Sequence, residues 1–277
     1  MKPRIHRLLG EDGHCLDVAV DHGLFGEPSF LPGIQRMGDA VRVLVGAGPD
    51  AMQLSVGQAR ILQEMAQRKP SLVLRVDVAN VYGPRVPAST FSELIDEPVG
   101  HAVRLDAACL CVNLFYAPDQ PELHRQCVRN ITRLKTAADD AAMPMMVEPL
   151  ALKPTDGPYA VNGDTRTIVS LVRQAVELGA DVVKADPTDD LDSFGLVVEA
   201  AGDTPVLVRG GGRAADDAVL RRAETVVAQG AAGVVYGRNI IQHPAPAAMT
   251  RALMDVVHGR ATAGEAAASL QGQSVHA

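Results

Sequence analysis

One pattern constrains the fold more than any other. Short aliphatic runs alternate with segments of helical periodicity from one end of the chain to the other. The apolar runs are Cys15–Val20, Ala51–Leu54, Ser71–Val76, Ala108–Asn113, Met145–Val147, Asp181–Val183, Pro205–Val208 and Gly233–Tyr236. Runs this short, rich in Val and Leu and bounded by Gly, Pro or Asp, suit strands buried on both faces. Between them, stretches such as Gln58–Arg68, Pro121–Ala142, Thr165–Leu178, Ala214–Gln229 and Ala245–Val257 place apolar residues at helical spacing. Eight strand-helix units in 277 residues match a (β/α)8 barrel, which takes about 250 residues. The expectation is therefore an α/β protein, a single-domain TIM barrel over 1–277, ending in a short polar tail from about residue 260. A doubly wound open sheet is the alternative, but no Gly-x-Gly-x-x-Gly follows strand one, where a dinucleotide site needs it.

The core must be aliphatic, because the chain has no Trp and only five Phe and four Tyr. A net charge of −7 leaves no basic footprint for nucleic acid or an anionic membrane surface. No apolar run approaches the roughly 18 residues of a membrane span. The basic N-terminal stretch lacks the apolar core of a secretory signal. Cys109 and Cys111 alternate within one strand and share a face, an arrangement for buried thiols rather than a disulfide or a zinc knuckle. With Cys15 and Cys127 they point to a reduced, cytoplasmic protein.

The chemistry gathers at strand ends. Lys184 closes the run Asp181-Val-Val, where a barrel can present a desolvated amine. Desolvation lowers an ammonium pKa, and a free amine attacks a carbonyl. Lys153, beyond strand five, is the alternative amine, or a second cation depressing Lys184. Asp21 ends strand one as a proton shuttle or a contact for a substrate hydroxyl; its plainer reading is a turn cap. His22 beside it is a substrate-binding candidate. As a metal ligand it lacks a second His at useful spacing, and His14 lies at the other end of the strand. Glu148 is a general acid-base candidate or a salt-bridge partner. Arg75, Asp77 and Asn113 either polarise substrate hydroxyls or fill polar layers of the barrel. Gly210–Gly212 after strand seven and Gly237-Arg238-Asn239 after strand eight sit where this fold binds phosphate. Arg209, with Arg85 and Arg213, either reads a second anionic group or keeps the rim soluble. No metal or cofactor is expected.

Four stretches carry a family resemblance: Val-Asp21-His22-Gly, Gly179-Ala-Asp-Val-Val-Lys184, Val208-Arg-Gly-Gly-Gly212, and Gly233-Val-Val-Tyr-Gly-Arg238-Asn-Ile-Ile-Gln242. Together they resemble the class I aldolases of the DeoC, LacD and archaeal fructose-bisphosphate aldolase type. The resemblance implies a TIM barrel and a homo-oligomer, often decameric. It also implies Lys184 as the Schiff-base lysine and Asp21 as the strand-one carboxylate, with Gly211, Gly212, Gly237 and Arg238 on a substrate phosphate. Archaeal fructose-bisphosphate aldolases carry a tyrosine after strand five. Here the stretch is Glu148-Pro-Leu-Ala-Leu-Lys153-Pro, closer to tagatose-bisphosphate and sulfofructose-phosphate aldolases. Arg75, the loop around Asn80 and the Gly237 segment also resemble the thiolase acting on the phosphorylated autoinducer-2 breakdown product. The expected activity is thus a lysine Schiff base with a phosphorylated ketose or related oxo compound, making or breaking a C–C bond. A thiolase-like acyl transfer to coenzyme A with the same lysine is the alternative, and a catalytically silent sugar-phosphate sensor the third reading.

Overall fold

Inward and outward side chains alternate so regularly along each strand that the sheet has two distinct apolar faces. In the computed structural model, which describes residues 2–274, eight parallel strands form the barrel. They are β1 (Cys15–Ala19), β2 (Ala51–Ser55), β3 (Ser71–Arg75), β4 (Cys109–Tyr116), β5 (Met145–Lys153), β6 (Val182–Ala185), β7 (Val206–Arg209) and β8 (Gly233–Tyr236). Each pairs with the next, and β8 returns to β1, so the sheet closes without a free edge. Leu16, Val18, Met52, Leu54, Val183 and Val234 face the helices. Their neighbours Cys15, Ala19, Ala51, Val73, Val182 and Val235 fill the interior. Cys109 and Cys111 belong to that interior set and are free thiols, as their spacing predicts.

The helices are α1 (Met37–Ala47), α2 (Ala59–Gln63), α3 (Pro98–Arg104), α4 (Pro121–Asp140), α5 (Thr165–Glu177), α6 (Phe194–Ala201) and α7 (Asp216–Ala228). A single turn α8 (Arg238–Ile241) precedes α9 (Pro246–Val257) and α10 (Ala263–Ser274). α4 buries Leu123, Cys127, Ile131, Leu134 and Ala138, a stripe at three- and four-residue spacing. α5 starts where Asp164 accepts a hydrogen bond from the Thr167 amide at 2.9 Å. At the N-terminal end of the barrel, the turn Pro3–Arg7 inserts Ile5 and Leu8 as a plug.

Three elements depart from the sequence expectation. β5 does not stop at Val147 but runs to Lys153, because β4 also extends and pairs with it as far as Tyr116 and Ala151. The two strands form a wall above the barrel rim. α2 ends at Gln63 rather than Arg68, where Lys69 donates to the carbonyls of Gln63 and Met65 at 2.6 and 3.0 Å. The stretch expected as a polar tail is α10. Thr262 and Glu265 form a capping box, with Thr262 N to Glu265 Oε2 at 2.9 Å and Glu265 N to Thr262 Oγ1 at 3.2 Å. Ala263, Ala266 and Leu270 are buried against the body of the protein. Among the described residues no helix is long and apolar enough to cross a membrane.

Candidate active site

The polar side chains of the barrel mouth lie one step above the apolar interior layer. Asp21 follows Ala19, Gln53 follows Ala51, Arg75 follows Val73, Glu148 follows Met146, and Lys184 follows Val182, each two residues on and therefore on the same face. The period of the strand thus converges five buried polar groups from five strands.

Glu148 is the hub. Its Oε2 lies 3.0 Å from Lys184 Nζ and is bonded by Arg75 Nη2, while Oε1 lies 3.8 Å from Arg209 Nη1. Arg75 extends the network through Nε to Asp21 Oδ2 at 2.8 Å and through Nη1 to Asp77 Oδ1 at 3.2 Å. Gln53 bridges the lysine and the strand-one carboxylate, accepting from Lys184 Nζ at 3.4 Å and donating to Asp21 Oδ2 at 2.7 Å. The second oxygen of Asp77 accepts from Asn113 N at 3.0 Å, Asn113 Nδ2 at 2.8 Å and Ser92 Oγ at 3.0 Å. Arg75, Asp77 and Asn113 are therefore a polar layer that braces the site, one of the two roles their positions suggest.

This network corrects the expectation for the lysine. Burial pulls the Lys184 pKa down, but the Glu148 carboxylate, with smaller contributions that include Asp21, more than offsets it and holds the amine above its ordinary value. Burial likewise pushes Glu148 and Asp21 up. Lys184, Arg75 and Arg209 reverse that for Glu148, and Arg75 and Lys184 reverse it for Asp21, so both carboxyls stay below their usual range. His22 has no such counter-charge sufficient to protect it, and burial lowers it to about 4, leaving a neutral imidazole.

Asp21, His22, Glu148, Lys184, Arg209, Gly211, Gly237 and Arg238 all line one pocket, together with Gly210, Arg75, Tyr82, Phe25 and Phe30. Lys153, Gly212, Arg85 and Arg213 lie outside it. Lys153 has the opposite strand parity to Glu148 and is exposed at the end of β5, paired with Ala160 of a short antiparallel strand. It is neither the buried amine nor the neighbouring cation; that cation is Arg75. Gly212 is exposed on the turn, and its carbonyl accepts from Asn239 Nδ2 at 3.2 Å; Gly210 takes the inner place. Arg85 and Arg213 are exposed and away from the lining. Arg209 lines the pocket, but its charge is already compensated by Asp186 and Glu148.

The glycine turns are tied to one another. Asn239 receives the Ala214 amide at 3.0 Å and donates to the Gly210 carbonyl at 3.2 Å, while Arg238 Nη2 reaches the Gly211 carbonyl at 3.0 Å. The Arg238 guanidinium also lies 4.6 Å from the Phe30 ring centre. At Gly237 a Cβ would meet His22 Cε1 at 2.2 Å and the Ala19 carbonyl oxygen at 2.9 Å, so the missing side chain lets the imidazole pack there. His14 lies at the opposite end of the barrel beside His258, with ring centres 6.5 Å apart. Among the described residues no cluster of three His, Cys, Asp or Glu side chains is arranged to hold a metal. Sequence reasoning missed Gln53 and Asp186, attached no role to Phe25 or Phe30, and placed Tyr82 only on the long exit after strand three, where substrate loops lie. A polar residue inside an apolar strand was the available signal for Gln53; the aromatics lie in loops and gave none.

Residues 15–243 match the family described as DeoC/LacD family aldolase. The chain belongs to the DeoC/LacD aldolase family. It is 30% identical over 264 residues to an uncharacterized aldolase of Saccharolobus solfataricus, covering 93% of this chain and 94% of that protein. It is 28% identical over 274 residues to 3-hydroxy-5-phosphonooxypentane-2,4-dione thiolase of Escherichia coli, covering 96% and 85%. A Schiff-base-forming fructose-1,6-bisphosphate aldolase superposes with a TM-score of 0.76 at 25% identity, over 92% of this chain and 99% of that one. The DeoC/LacD protein described here is thus an enzyme of the class I aldolase type on a TIM barrel, as the sequence resemblance implies.

Proposed function

We propose that Lys184 forms a Schiff base with the carbonyl of a phosphorylated ketose or related phosphorylated oxo compound, and that the enzyme makes or breaks the adjacent C–C bond. The observation that carries this reading is the shared pocket. A buried lysine 3.0 Å from a carboxylate opens onto two glycine turns and Arg238. Arg238 has no carboxylate partner among the described residues, which leaves it free to meet a phosphate through charge-assisted hydrogen bonds. An anchored phosphate holds the carbonyl carbon against Nζ and converts the attack into an effectively unimolecular step. Glu148 is placed to take the ammonium proton as the amine adds to the carbonyl. The iminium then accepts the electron pair of the breaking C–C bond. Asp21, fixed by Arg75 and Gln53, contacts substrate hydroxyls.

The thiolase relative acts on a compound whose name carries a phosphonooxy group, and the fructose-bisphosphate aldolase on a bisphosphate. Both support a phosphorylated substrate here. The E. coli relative favours acyl transfer to coenzyme A as the second reading, and coenzyme A dependence of turnover separates the two. Four free buried thiols suit a reduced cytoplasmic enzyme, and a homo-oligomer, checked by light scattering, completes the reading.

Borohydride trapping tests it. The protein is incubated with dihydroxyacetone phosphate or a panel of phosphorylated ketoses, reduced, and mapped by peptide mass spectrometry. A substrate-dependent adduct on the Lys184 peptide is the expected result. Adducts elsewhere, or none with any of these compounds, overturn it.

A further inference from the structure

We propose that Tyr82, delivered by the loop after β3, is a catalytic acid-base residue of this pocket. The inference rests on the Schiff-base reading of Lys184. Among the described residues Tyr82 is the one tyrosine lining the pocket. Its loop is held at both ends. Asp77–Ala79 pairs antiparallel with Ser92–Leu94, Asn80 Nδ2 donates to the Ser89 carbonyl at 2.9 Å, and Asn80 Oδ1 receives the Phe91 amide at 2.7 Å. The segment between is thereby folded over the mouth of the barrel. There the Tyr82 ring packs edge-on against Phe25, Phe30 and Phe115 at 4.9, 5.2 and 6.5 Å between centres. Arg209 lines the same pocket, and its guanidinium opposes, without overcoming, the burial that raises the Tyr82 phenol above its ordinary pKa.

The other groups in the lining are badly suited to carry the working proton of bond cleavage. Glu148 is shared by Lys184, Arg75 and Arg209, and Asp21 by Arg75 and Gln53. Both are held as carboxylates by these partners, and Glu148 is already committed to the Lys184 proton. The neutral His22 is a poor acid partner because burial disfavours its charged form. A phenol next to a guanidinium can serve in both directions, and Arg209 is itself oriented by Asp186, which receives the Ala151 amide at 3.2 Å. A base held by one group that is in turn held by another is the usual arrangement of an activated acid-base pair. β5 offers no hydroxyl in this wall; above Glu148 it contributes the aliphatic Leu150 and Leu152.

The step balances within the site. The carbinolamine on Lys184 loses its oxygen as water, taking the Tyr82 phenol proton and leaving a phenolate beside Arg209. That phenolate accepts the proton of the substrate hydroxyl next to the breaking bond. The C–C electron pair moves onto the iminium to give an enamine, the hydroxyl carbon leaves as an aldehyde, and Tyr82 is again a phenol.

The test compares wild type with Tyr82→Phe, using the phosphorylated ketose that gives the strongest borohydride adduct with wild type. The expected result is a kcat lower by roughly 100-fold or more, a KM within about threefold, and the Lys184 adduct still reached on long incubation. A wild type without adduct overturns the Schiff-base reading and this proposal with it. A wild type with adduct and a Tyr82→Phe variant whose kcat is within about threefold, or which loses the adduct altogether, overturns this proposal alone. Should Tyr82→Phe fail to fold, 3-fluorotyrosine at position 82 keeps the packing and makes the phenol more acidic. The basic limb of the kcat–pH profile then moves to lower pH, and an unmoved limb counts against Tyr82.

Discussion

Glu148 meets three cations, from β3, β6 and β7, and everything else in the pocket adjusts to it. Replacing it with Gln leaves Arg75, Lys184 and Arg209 buried around a neutral amide. Breaking such a network typically costs about 3–5 kcal/mol, which urea denaturation of Glu148→Gln will show. Loss of the main counter-charge also lets the Lys184 pKa fall, so the acidic limb of kcat/KM shifts to lower pH even as the rate drops. Asp17, deeper in the barrel, is the opposite case. It is fully buried, and neither carboxylate oxygen has a hydrogen-bond partner among the described residues. Burial pushes its pKa up to about 7. A folded pKa raised above the unfolded one means that ionising Asp17 weakens the native state, progressively from about pH 4 up to about 7 and fully above that. Asp17→Asn removes the charge, so its urea midpoint should exceed that of wild type at pH 8 and lose this advantage near pH 4. Of these residues, Lys184, Glu148, Asp21 and Arg75 were legible because charge at the end of an apolar run is conspicuous. Tyr82 was visible but mute, since a loop residue has no period from which its direction can be read.

At the scale of the element, the barrel closes through β8. Gly233 has φ +132°, and a Cβ there would sit 2.0 Å from the Cys15 carbonyl oxygen on β1. The register Cys15↔Gly233 and Asp17↔Val235 depends on that approach. Gly233→Ala adds about 1–3 kcal/mol of backbone strain before the clash is counted. The expected outcome is a lower melting temperature with parallel loss of any Lys184 adduct, since β1 and β8 carry Asp21 and Arg238 at their ends. Strand existence was readable from the sequence, but the length of β5 was not. Its last residues are strand because β4 lies alongside, a pairing between residues 35 apart in the chain that local propensity does not encode. The same holds for α10, whose capping box is local but whose apolar stripe needs α7 and α9 to be worth forming.

At the scale of the molecule, His258 fastens the end of α9 to the bottom of the barrel. Nδ1 lies 2.6 Å from Asp12 Oδ2 and Nε2 lies 2.9 Å from Asp50 Oδ2. Asp50 also receives the Leu16 amide, so one imidazole joins the entries of β1 and β2 to the last turn of α9. The hydrogen bond to Asp50 raises the His258 pKa; burial opposes it, and Asp12 adds to the rise. A histidine with a raised folded pKa contributes its stabilisation in full below the unfolded value near 6.5 and loses it as pH climbs through the folded value. The stability gap between wild type and His258→Gln, measured in urea, should therefore be wider near pH 6 than near pH 9. A gap that grows with pH would contradict the clamp. By itself the sequence determined the eight-unit barrel and the strand that ends in Lys184, because a two-residue period and short apolar runs are local properties. It also determined where the glycine turns fall. Only the tertiary structure decided that Lys184 is held as an ammonium, that Lys153 points away, that Arg209 is compensated, and that an aromatic loop covers the pocket. Those outcomes depend on distances between groups far apart in the chain, and the Coulomb energy and desolvation that set them exist only once the barrel has closed.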